Sequence, residues 1–117
     1  MILQLHKSQP APDICLVELS GKLMMGNDSR QVEWGVAELL GAGIKKIIFD
    51  LSKIDSIDST GVGIIVMCEA KVRKAGGALR IAGPAGIVHE TLVMTHVDRL
   101  VQFFPTANAA AQGFSVS

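Results

Sequence analysis

Read by the spacing of its apolar positions, the chain alternates between two periods. Residues 14–19 (Ile-Cys-Leu-Val-Glu-Leu) carry β-branched residues and no breaker, which predicts a strand that Gly21 should end. Residues 44–51 predict another, with Ile47 to Phe49 as an apolar centre of the kind a buried parallel strand shows. Residues 2–5, 78–82 and 100–104 predict three shorter strands. Between these the period becomes helical. Val32, Val36, Leu39 and Leu40 fall at i, i+4, i+7 and i+8, one apolar stripe on a helix. The cap-forming run Asn27-Asp28-Ser29 opens that helix and Gly41-Ala42-Gly43 closes it. Asp28 with Gln31 has the spacing of a capping box. Residues 52–60 should connect the strand at 44–51 to a long helix ending near Ala75. Its buried stripe is Gly61, Ile64, Ile65, Cys68, Val72 and Ala75, and Gly76-Gly77 stops it. Helices over 85–95 and 107–112 follow, started by Gly83-Pro84 and Pro105-Thr106.

The resulting order is β, β-α, β-α, β-α, β-α. Strands separated by helices need crossovers, so the sheet should be largely parallel, with the first two strands close enough for an antiparallel pair. The class is α/β, and no linker or repeat divides the chain. Its 117 residues suit one domain, expected to span 1–117. With 49% apolar and 19% charged residues the composition is globular, which excludes disorder over most of the length. Eleven basic residues balance eleven acidic ones, so there is no long-range field for nucleic acid or an anionic bilayer. The longest apolar run, residues 61–68, is far short of the roughly 20 residues a membrane helix needs. The first ten residues lack the pattern of a signal peptide. A cytoplasmic protein without membrane insertion or direct nucleic-acid contact is the expectation. Cys15 and Cys68 form no C-x-x-C pair and should be buried, reduced thiols.

The usual enzyme constellations are missing. There is no phosphate-binding G-x-x-x-x-G-K-[ST] run, and Gly61-Val62-Gly63 lacks the third glycine of a dinucleotide loop. No G-x-S-x-G elbow occurs. His89 and His96 are seven apart, about 10 Å along a helix, too far to share a metal. Asp50, Asp55 and Asp58 follow a central strand, where α/β folds place their chemistry. A phosphoryl-accepting receiver would also need an acidic pair after the first strand and a lysine after the last. His6-Lys7-Ser8 and Gln102-Phe103-Phe104-Pro105 stand there instead. No catalyst and no cofactor or metal are expected.

The segment that stands out is Asp55-Ser56-Ile57-Asp58-Ser59-Thr60-Gly61-Val62-Gly63, set between a buried strand and an apolar helix. Asp58, Ser59 and Thr60 are all good caps, and three in a row exceed what capping needs. Two glycines in the first turn each cost up to about 1 kcal/mol against alanine, so a packing or contact role is expected. Gly61 falls on the buried stripe and Gly63 on the outer side, one turn from Ser59. Trp34 lies about 200° round its helix from Val32, at 100° per residue, and should face solvent, either as a contact surface of its own or folded flat over the stems of Arg30 and Glu38 with no partner. Lys71, Arg73 and Lys74 suit the C-terminal end of a helix.

With its flanks, this segment resembles the signature of STAS domains, the sulphate-transporter and anti-sigma-factor-antagonist modules. Phe49-Asp50-Leu51-Ser52 and Ile57 to Gly63 carry the likeness. Leu19 to Leu23, Gly76 to Ile81 and Phe104 to Ala110 match the family's landmarks in order. The resemblance implies a STAS fold, a mixed sheet of about five strands with about four helices. It implies phosphorylation on Ser59, the serine directly after the aspartate. It implies an anti-sigma factor antagonist whose unphosphorylated form binds an anti-sigma factor serine kinase and frees a sigma factor, with a PP2C-type phosphatase resetting it. Asp58, Thr60, Gly61, Gly63, Met24 and Met25 are the expected partner-binding residues. Met24 departs from the family, which usually carries Asp at that position. The alternative implied by the family is a docking component of a stress-signalling or lipid-transport assembly.

Overall fold

Alternating burial builds the first two strands. β1 (Gln4–Ala11) and β2 (Ile14–Leu23) pair antiparallel, with Leu5 opposite Leu19 and His6 opposite Glu18. The computed structural model describes residues 2–26 and 28–115. The chain continues through α1 (Arg30–Gly41), β3 (Lys46–Ile57), α2 (Ser59–Lys74), β4 (Ala78–Ala82), α3 (Gly86–Met94), a 3-10 turn (Val97–Arg99), β5 (Gln102–Phe104) and α4 (Ala107–Ser115). The five strands lie in sequence order, β2 to β5 parallel. This is the mixed sheet with four helices that the sequence predicts.

Strand parity sorts the core into two layers. Val17, Leu19, Ile47, Phe49, Leu51, Leu79 and Ile81 face one way and pack against α1, α2 and α3. Ile14, Ile48 and Ala82 face the other way, where Ala110 and Phe114 of α4 cover them. Arg80 shares that second face, its guanidinium 3.9 Å from the centre of the Phe114 ring. Such stacking favours a cation where burial disfavours its charge. Cys15 and Cys68 are buried and unpaired, and burial pushes the Cys68 thiol up to about 12.

Several boundaries differ from the sequence reading. β1 begins and ends later than 2–5. Gly21 does not end β2 but continues it at φ 99°, and a Cβ there would come within 2.8 Å of the Ile2 carbonyl oxygen. Only glycine takes that backbone without strain. β3 runs on to Ile57 and takes most of the expected connection, because Ile54 is buried and residues 53–57 keep pairing with β2. The capping box at Asp28 does not form. Asp28 takes a left-handed conformation (φ 59°), Gln31 Nε2 donates to the Leu3 carbonyl instead, and Ser29 Oγ donates to the Met24 carbonyl. Asn27 lies outside the described residues. In α2 Ala75 is the half-buried C-cap, and Glu69 takes a buried place through its ion pair with Arg73 at 3.1 Å. The expected last strand at 100–104 shortens to three residues because the 3-10 turn takes Val97–Arg99 and Leu100 caps it. α4 extends past 112 because Phe114 joins the core.

Candidate functional site

The end of β3 and the start of α2 meet at Asp58. Its backbone is extended, and the α-helix begins at the next residue, so Asp58 is the N-cap. Its Oδ1 accepts from the Gly61 N–H at 2.9 Å, which satisfies one of the helix's orphan donors. Its Oδ2 accepts from the Met25 N–H at 3.1 Å, across from the β2–α1 loop. One carboxylate therefore caps α2 and ties the loop to it. Burial would raise the Asp58 pKa. The N–H groups of Gly61, Met25 and Thr60 outweigh that, and the pKa is lowered.

This gives a pH test. The folded pKa lies below the unfolded one, so the contribution of Asp58 to stability is complete above an unfolded value of roughly 4 and is lost as pH falls through the folded value. Asp58→Asn keeps one acceptor but no charge. The lost second hydrogen bond should cost about 1 kcal/mol at neutral pH, and the melting temperature should flatten across roughly pH 5 to pH 2. Thermal melts over that range check both.

Gly61 explains how α2 sits so close to β2. A Cβ at Gly61 would strike the Leu23 carbonyl oxygen and lie 2.8 Å from Ile57 Cγ1. The same Leu23 oxygen accepts from the Asp58 N–H at 3.4 Å. Gly63 is different: a Cβ there meets nothing within 4 Å. The sequence-based placement of Gly61 inside and Gly63 outside therefore holds. A Gly63→Leu chain is expected to melt at or above the wild-type temperature, since leucine favours a helix over glycine by roughly 0.5–1 kcal/mol. A lost melting transition would contradict this.

Ser59 is exposed on the first turn of α2, and Thr60 beside it is half-buried. Met25 is 76% exposed, while Met24 is half-buried and its carbonyl accepts from the Ser29 hydroxyl. An open groove of about 520 Å³ runs between the loop and the two helices, lined by Met25, Arg30, Thr60 and Ile64. Ser59, Asp58, Thr60, Gly61, Gly63, Met24 and Met25 thus gather at one end of the molecule. Arg30 and Ile64 join them, and sequence spacing gave no sign of it, because it takes α1 lying beside α2 to bring them there.

The carboxylates expected as a group are not one. Asp50 lies within β3, its Oδ1 accepting from the Ser52 N–H at 2.9 Å. Asp55 pairs with Lys22 at 3.2 Å, and that hydrogen bond lowers its pKa. The longer β3 separates them along its length. Around Ser59, then, Lys22 offsets the charge of Asp55, and backbone N–H groups hold that of Asp58. Among the described residues no helix is long and apolar enough to cross a membrane.

Comparison with known proteins gives this arrangement a class. The STAS domain model matches residues 7–110. The chain belongs to the STAS domain family. A candidate anti-sigma factor antagonist of Thermotoga neapolitana is 30% identical over 100 residues, covering 86% of this chain and 88% of that protein. The crystal structure of a candidate anti-sigma factor antagonist from Thermotoga maritima matches with a TM-score of 0.84 at 27% identity, over 93% of this chain and 92% of that one. The anti-sigma factor antagonist SpoIIAA in its unphosphorylated form shares the fold, with a TM-score of 0.73 at 14% identity over 97% and 99% of the two chains.

Proposed function

We propose that this chain is an anti-sigma factor antagonist switched by phosphorylation on Ser59. The observation that carries this reading is the exposed Ser59 at the N-terminus of α2, next to a loop that Asp58 fastens in place. The hydroxyl can enter another protein's active site while its surroundings stay rigid. The base, metal and nucleotide of the transfer belong to the partner kinase; this chain supplies the acceptor oxygen. The Ser59 Oγ–P bond forms as ADP leaves, and the hydroxyl proton passes to the kinase. The helix N-terminus tolerates the added anion. The phosphate brings a charge of about −1.5 to −2 to a surface whose own carboxylates are already engaged.

Unphosphorylated, the face from Met25 across Ser59 to Gly63 binds the anti-sigma factor. Gly63 lets the partner's backbone approach, and Met25 offers an adaptable apolar contact. A PP2C-type phosphatase restores this state. The test is affinity capture from the host with Ser59→Ala as bait, read by mass spectrometry. Recovery of an anti-sigma factor kinase supports the reading. Recovery of transport-assembly components with no such kinase would replace it with the docking role.

A further inference from the structure

Two cations stand at the Ser59 end of the molecule, and one of them is uncommitted. Lys22, opposite Ser56 in the pairing of β2 with β3, donates to Asp55 Oδ1 and to Ser56 Oγ, each at 3.2 Å. Arg30, the first residue of α1, is exposed and makes no hydrogen bond or ion pair among the described residues. Two carboxylates lie near it in the chain and neither takes it. Asp28 lines the same groove, and Glu33, one turn on, keeps its Oε1 buried and unpaired. Thr60, the residue after Ser59, lines that groove with Arg30. The first turns of α1 and α2 thus share about 520 Å³ of open space, with a free guanidinium on one and the acceptor serine's neighbour on the other.

A phosphate on Ser59 needs donors, and the nearest backbone ones are taken. The Gly61 N–H donates to Asp58 Oδ1 at 2.9 Å, and the Thr60 N–H is directed at the same carboxylate. Those are groups that a helix N-terminus would otherwise offer an anion. Of the cationic side chains, Lys22 is already held between Asp55 and Ser56. Arg30 remains. Its planar fork matches the oxygens of a phosphate with two parallel N–H bonds, shorter and stronger than bonds between neutral groups.

We propose that Arg30 holds the phosphate of phosphorylated Ser59, drawing it into the groove beside Thr60 and Met25. This rests on Ser59 being the modified residue. The switch then does more than add charge. In the unmodified chain the groove is open, and Arg30 is the one cation that lines it. After modification the guanidinium is paired and the space between Met25 and Thr60 is filled. A partner that fits the open groove meets a closed one as well as an anion. The pairing is local to the chain, so it forms before any partner arrives. Without Arg30 the phosphate would face Asp58 and Asp28 with no cation to offset them.

Phosphoserine placed at residue 59 during synthesis of the whole chain tests this without a kinase. By phosphorus NMR, the phosphate should lose its second proton at a pH lower than in the Arg30→Gln chain by about half a unit or more, because an adjacent cation favours the dianion. The Arg30 Nε–H resonance should shift on phosphorylation and exchange more slowly with water. Arg30→Lys, which keeps the charge, should restore most of the titration shift. Arg30 is exposed, so both substitutions should leave the circular dichroism spectrum unchanged. If Arg30→Gln fails to fold, the Arg30 resonance of the phosphorylated wild-type chain decides alone. Equal titrations with arginine and glutamine at position 30 would overturn the proposal. So would an Arg30 Nε–H that phosphorylation leaves unmoved, or a lysine no better than glutamine. Whether a kinase chooses Ser59 is read separately, by phosphopeptide mapping of the chain made without phosphoserine, so the two readings fail independently.

Discussion

A Gly61→Ala protein is expected to lose about 3 kcal/mol of stability, the upper end of what overpacking a core costs. For a chain of this size that lowers the melting temperature by on the order of 10 °C. The reason is local. The new methyl group meets the Leu23 carbonyl, which is backbone, and not the free end of a side chain that could swing away. Leu23 ends β2, and the bond from the Met25 N–H to Asp58 restrains the loop after it. Either α2 lifts from the sheet or the end of β2 shifts, and both break the Asp58 clamp. The same change at Gly63 meets open space and should raise stability by about 1 kcal/mol. Two chemically identical substitutions two residues apart therefore have opposite signs. Thermal melts of the pair decide it, and equal melting temperatures would refute the packing argument.

Ser59→Asp should weaken binding to the anti-sigma factor kinase by about a hundredfold, the size expected of a few kcal/mol of like-charge repulsion and lost contact. Ser59→Ala should bind as the unmodified chain does. Both variants should fold, because a carboxylate in the first turn of α2 lies where the helix favours negative charge. The effect should be on the partner and not on this chain, since Asp55 and Asp58 are already engaged by Lys22 and by backbone N–H groups. Titration calorimetry on the two variants reads the difference directly. Equal affinities would remove Ser59 from the switch.

How much of this was legible in the sequence differs from element to element. Of the stripe Val32, Val36, Leu39 and Leu40, the first three are buried and Leu40 packs half-buried against the core, because helical period is a local property of the chain. Trp34 is exposed for the same reason. Parity did less well in β3. Its second half, Ser-Lys-Ile-Asp-Ser, reads as a polar connection, yet continued pairing with β2 holds it in the sheet. The cap of α1 was misplaced because Asp28 and Gln31 satisfy the spacing of a box while Gln31 finds a better acceptor on β1. At the site, Ser59 and the two glycines could be placed from α2 alone. The second bond of Asp58, to Met25, could not, because the loop and the helix are 33 residues apart in sequence. The groove involving Arg30 and Ile64 depends on the packing of two helices, which no local pattern records.

The central claim is that Ser59 is the residue modified. Incubating the wild-type chain with the captured kinase and ATP, followed by phosphopeptide mapping, tests it most directly. The account predicts one phosphate, on Ser59, and none on a Ser59→Ala chain. Phosphate on Thr60 or Ser56, or undiminished phosphorylation of Ser59→Ala, would contradict it.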